Sequence, residues 1–205
     1  IDPVNGEVSY QTSGSWLVNW MDEDGVILEQ ILPEVRWDLS FDHGEVSNSA
    51  SLLGEIDNDA RLSMMEGNWG MWLAGSATKD EQEIDFQFGL DLPIRYSNCI
   101  DGYDGLRGLN LQSNSTEIDL DWSLRHAFFS SLVYGEEQLA FQAIADADLD
   151  GNSMVTTTEL KEMPIPSLGY ELDDKQVSTL DQFVAISLSQ GIRINGSGLC
   201  TLWVI

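Results

Sequence analysis

The side chains best placed to do chemistry lie in the stretch DADLDGNSMVTTTEL, residues 146–160, where Asp146, Asp148 and Asp150 alternate with small or apolar residues and run into Gly151. Alternating carboxylates ahead of a glycine turn bring several oxygens to one point, and a cation offsets their repulsion. Calcium, a hard ion that takes six to eight oxygens, suits such a loop. Counted from Asp146, the opening Asp-x-Asp-x-Asp-Gly fits a twelve-residue calcium loop, yet the twelfth residue is Thr157 and the glutamate stands at Glu159. VTTTE keeps the spacing of the closing half, with Val155 as the apolar residue that pairs into a short strand. The expectation is a fourteen-residue, EF-hand-like variant, ligated by Asp146, Asp148, Asp150, a backbone carbonyl near Asn152 to Met154, and Glu159. The competing possibility is a solvated acidic turn between helices.

Other chemistry is sparse. The chain has two histidines, His43 in LSFDHGEV and His126 in DWSLRHAFF. Two imidazoles brought together would suit copper, against the plainer alternative of ordinary core or surface histidines. No zinc-protease spacing, serine-hydrolase elbow or phosphate loop occurs, so no catalytic residues are assigned and an enzyme is not expected. A paired-carboxylate hydrolase is the third possibility among 35 acidic residues. Asn114 and Asn195 each open a glycosylation triplet. The only two cysteines, Cys99 and Cys200, sit in turn-like settings without CxxC spacing, which favours one long-range disulfide. Such a bond would contribute about 3–5 kcal/mol and implies an oxidising compartment.

The elements that must position these groups divide near residue 134. Before it, short runs alternate apolar and polar residues: Val35, Trp37, Leu39 and Phe41; Ile84, Phe86, Phe88 and Leu90; Ile118, Leu120 and Trp122. With EVSYQT, SWLVNW, GVILEQIL, NWGMWLAG and LRGLNLQS these give about eight strands, and a mainly β fold, an antiparallel β-sandwich, is expected over 1–134. Between 135 and 191 the period becomes helical. GEEQLAFQAIADA and TTTELKEM flank the acidic loop, Thr156 is placed to cap the second, and Val177, Leu180, Val184 and Leu188 form one stripe ending at Gly191. The final segment, 192–205, reads as a strand rejoining the sandwich.

Charge excludes two classes of partner. With 35 acidic against 9 basic residues the net charge is -26, which opposes nucleic acid and anionic membrane surfaces. The 42% hydrophobic content and seven tryptophans belong to a folded protein rather than a disordered acidic tail. An acidic surface suits a saline or calcium-containing medium, where cations screen self-repulsion. No stretch is apolar enough to suggest membrane insertion. The first residues show no signal peptide, and a start without methionine is expected to reflect processing.

LRHAFFSSLVYGEEQLAFQAIADADLDG, the following VTTTEL and the Gly-rich approach to Cys200 resemble a group of exported, acidic bacterial β-domain proteins of unassigned function with an EF-hand-like calcium loop. The resemblance covers the second half of the chain. In that group a histidine-containing strand before the loop and histidines flanking the final cysteine imply a metal centre. Of that pattern His126, the aspartates, Glu159 and Cys200 are present here, but Arg193 and Leu199 lie beside the cysteine and Ser123 where a second histidine is expected, so loss of that centre is expected. A weaker similarity in design is to methanotroph surface proteins that bind copper through a kynurenine, although no matching Trp-x-His segment occurs. The expected function is that of a secreted, cell-surface or periplasmic calcium-binding structural or interaction protein, self-associating in a fibre or lattice or bound to another surface protein. A copper carrier using His43 and His126 is the alternative.

Overall fold

The computed structural model describes residues 2–3, 16–21, 36–91, 93–111, 117–133, 138–165, 169–172 and 176–205. Within them the chain runs through β1 (Asp2–Pro3), β2 (Trp16–Val18), β3 (Arg36–Asp38), β4 (Phe41–His43), β5 (Ser51–Leu53), α1 (Asn58–Gly67), β6 (Met71–Lys79), β7 (Gln82–Leu90) and β8 (Ile94–Ser97). It continues through β9 (Leu109–Asn110), β10 (Leu120–Trp122), a 3-10 turn (Leu124–Phe128), α2 (Phe141–Ala145), β11 (Met154–Thr156), α3 (Thr157–Glu162), α4 (Leu180–Ser189), β12 (Ile192–Ile194) and β13 (Thr201–Val204). Strand predominates, as expected, but it is divided among small sheets of two or three strands. Two of the pairings, β2 with β5 and β11 with β7, are parallel. The expected strands EVSYQT and GVILEQIL lie outside the described residues.

Two units divide the chain: residues 1–65, 93–122 and 192–205 form the first, and 66–92 and 123–191 the second. The boundaries therefore differ from the expected 1–134, 135–191 and 192–205, because the β6–β7 hairpin belongs with the helices. Pro93 explains part of this. The run from Glu83 to Tyr96 reads as one strand, yet β7 ends at Leu90 and β8 starts just after the proline, which cannot donate to a ladder.

In the first unit β3 lies between β1 and β9, and β8 between β13 and β4, all antiparallel. Alternation buries Trp37 on β3, which joins Cys99, Leu109, Leu111 and Ile194 in one core cluster. Tyr96 stacks on Phe41 with ring centroids 4.5 Å apart. Arginines dress the strand ends: Arg36 pairs with Asp104, Arg107 with Asp38 and Arg95 with Asp42. Arg95 holds the Asp42 carboxyl below its ordinary pKa, chiefly by hydrogen bonding. Both partners are about half exposed, so the pair adds little stability.

In the second unit β7 is the middle strand between β6 and β11. Its inward residues Ile84, Phe88 and Leu90 are buried while Glu83, Asp85 and Gln87 face solvent, the expected alternation. Helix α4 begins at Leu180, with Thr179 as its cap residue, and buries Leu180, Phe183, Val184 and Leu188. It contacts α3, β7 and the 3-10 turn. Helix α1, which lies mostly in the first unit, starts after Asp57, whose carboxylate accepts from Ala60 N–H at 2.8 Å and caps it.

Candidate metal centre

Asp148, Asp150 and Glu159 each bring a carboxylate oxygen into a group whose ligand atoms lie within 4.8 Å of one another, and it is the one such group among the described residues. The chain between them folds as a nest of turns. Asp148 accepts from the backbone N–H of Asn152 at 3.0 Å and of Ser153 at 2.9 Å, and Asn152 Oδ1 accepts from Met154 N–H at 2.7 Å. Ser153 sits at φ 65°, the left-handed conformation that gives the loop its sharp reversal. Glu159 is only 8% exposed and accepts from Leu149 N–H at 3.0 Å and from both Thr156 N–H and Oγ1 at 2.8 Å. With Thr156 it completes the capping box that starts α3, so one glutamate both starts the helix and faces the loop.

This geometry corrects the expected register. Asp146 is outside the group: it ends α2, and its carboxylate accepts from Gln142 Nε2 at 2.7 Å. Counting from Asp148 instead makes Glu159 the twelfth residue with no insertion. Asp148, Asp150 and Asn152 then occupy positions one, three and five, the Met154 carbonyl seven, Thr156 nine and Glu159 twelve. Ser153, not Gly151, fills the sixth position, where glycine is usual. No family model, curated protein or solved structure matches this chain.

The loop is anchored on a sheet. Val155 is fully buried on β11, which pairs with Asp85–Gln87 of β7, and Asp85 N–H donates to Ser153 O at 3.0 Å. Two residues after Val155, buried Thr157 Oγ1 donates to Gly89 O at 3.1 Å and accepts from Gly89 N–H at 2.7 Å. Valine at position 157 fills the same space but leaves both Gly89 groups unpaired in the interior. Thr157→Val is therefore expected to cost about 2 kcal/mol, measured by urea denaturation, with Thr157→Ser recovering most of it. Equal stability of the valine and serine variants would disprove the anchor.

The other site residues are scattered. His43, on β4 in the first unit, presents its ring at 5.7 Å to the edge of Trp122. His126, in the second unit, is 7% exposed with its ring 4.5 Å from Phe129. Neither belongs to a three-ligand group among the described residues. Cys99 and Cys200 are bonded, as expected. Asn114 lies outside the described residues. Asn195 is a correction: it is 5% exposed and its amide nitrogen donates to buried Asp101 at 2.8 Å, so the nitrogen a glycan would need is enclosed.

Proposed function

We propose that this chain is a calcium-binding structural or interaction protein of an extracellular or periplasmic setting, with the ion acting as a stabiliser. The loop from Asp148 to Glu159 carries the proposal. Calcium takes six to eight oxygens, and a group of three carboxylates in a loop that adds the Asn152 side chain, the Met154 carbonyl and Thr156 at a calcium loop's spacing supports that ion. The disulfide supports an oxidising compartment. No described helix is long and apolar enough to cross a membrane.

The loop pairs with a strand of its own unit, not with a second loop, which favours stabilisation over signalling, since sensors open a groove between helices. At free calcium ten times the dissociation constant the gain is about 1.4 kcal/mol, read as a rise in Tm over the protein in chelator. Asp148→Ala is expected to abolish the rise and Asp146→Ala to leave it intact. Calorimetry showing no calcium uptake at low salt would overturn the proposal, and loss of uptake in the Asp146 variant alone would overturn the register.

A further inference from the structure

We infer that the outer edge of β6 is a docking site for an extended segment of a partner protein, one that alternates Lys or Arg on one face with apolar residues on the other. This deepens the interaction half of the proposed function and does not depend on the ion. β6 runs nine residues in unbroken register with β7, from Met71 opposite Leu90 to Lys79 opposite Gln82, and is the last strand of its sheet. Lys79 and Gln82 flank a two-residue turn and form a hydrogen-bonded pair. Alternation then points the N–H and C=O groups of Trp72, Ala74, Ser76 and Thr78 away from β7. Among the described residues no strand pairs with that side.

Proteins usually blunt such an edge with proline, a bulge or several lysines. MWLAGSATK has no proline, no break in register and a single lysine at its end. Its centre is small and open: Ala74, Gly75 and Ser76 are exposed. An added strand would continue two surfaces. On the inner one it meets half-buried Leu73 and Ala77, which call for apolar side chains. On the outer one it lies beyond Ser76 and Thr78, whose cross-strand partners are Asp85 and Glu83. Those carboxylates stand two strand spacings away, about 10 Å, within reach of long basic side chains.

Charge selects the occupant. Asp80, Glu81, Glu83 and Asp85 are all exposed around the hairpin, against Lys79 alone. A second copy, with 35 acidic and 9 basic residues, would bring more of the same sign, while a basic strand brings the complement.

A synthetic peptide alternating lysine and valine over the length of β6 tests this by calorimetry in millimolar calcium at physiological ionic strength, beside a glutamate–valine peptide. The lysine peptide is expected to bind and the glutamate peptide not. Ser76→Pro, which removes an outward N–H and leaves the pairing with β7, is expected to weaken binding at least about tenfold. Glu83→Lys is expected to weaken it several-fold without touching the backbone edge, and decides the matter if the proline variant misfolds. No binding, equal binding by wild type and both variants, or a wild-type dimer that Ser76→Pro dissociates in sedimentation would each overturn the inference, the last in favour of a second copy. The calcium-induced rise in Tm, measured on the same samples, reports separately on the metal proposal.

Discussion

Replacing Cys99 and Cys200 together by alanine is expected to destabilise the first unit by about 4–5 kcal/mol. The bond joins residues 101 apart in sequence, so in the loop-entropy picture it removes a large part of the freedom of the unfolded chain. It also closes the core cluster, where Cys99 is fully buried beside Trp37, Leu109, Leu111 and Ile194. The long-range ion pairs of Arg36 with Asp104 and Arg107 with Asp38 are partly exposed and contribute modestly. Guanidinium unfolding of the oxidised, reduced and double-alanine proteins measures the effect. The reduced and alanine forms are expected to unfold at a lower midpoint, with any calcium-induced rise in Tm unchanged, since the Asp148–Glu159 loop lies in the other unit. An unchanged midpoint on reduction would show that burial alone holds the first unit.

Gly198→Ala is expected to cost about 3 kcal/mol or more and to reduce soluble yield sharply. A Cβ at Gly198 would lie 2.0 Å from the Ile100 carbonyl oxygen and 2.6 Å from that of Ile194. Across the same contact, a Cβ at Gly102 would lie 2.1 Å from the Asn195 carbonyl oxygen. These obstacles are backbone, fixed by Gly198 N–H donating to Ile194 O at 2.8 Å and Ile194 N–H returning to Gly198 O at 3.0 Å, so no side chain can swing aside. Gly196 is the control. It has φ 82° but nothing within 4 Å of an added Cβ, so Gly196→Ala should carry only the left-handed backbone cost of about 1–2 kcal/mol. Thermal unfolding of the two variants checks the difference, and comparable losses would mean that conformation, not the close crossing, constrains this turn.

Local patterns were legible in the sequence; pairings and registers were less so. Two cysteines admit one disulfide, and the alternation of Ile84, Phe88 and Leu90 fixes the inward face of β7. Thr156 was readable as a cap because its partner Glu159 stands three residues on. The acidic group is legible in the sequence but its register is less so, because glycine is the residue expected at a left-handed turn and Gly151 favours a count from Asp146. Gly151 and Ser153 both take positive φ, 73° and 65°, and the Asp148 carboxylate accepting from Ser153 N–H holds the serine there. Counting back twelve from Glu159 would have found Asp148. Helix α1 has one buried residue, Met64, too weak an apolar stripe to reveal it. The break of the Glu83–Tyr96 run has a local signal in Pro93, but the parallel partnership of β11 with β7 has none, since it depends on which distant segment completes the sheet.

The interleaving of the two units sets an order of events on the ribosome. The second unit is complete in sequence once residue 191 has emerged, but the first still lacks β12, β13 and Cys200. β10 must wait for β12 and the second side of β8 for β13, whereas β1, β3 and β9, β2 and β5, and β4 and β8 can pair earlier. Throughout that interval the Cys99 thiol has no native partner, and any oxidant it meets links it to something else. A nascent chain of this design gains from keeping Cys99 reduced until Cys200 is made.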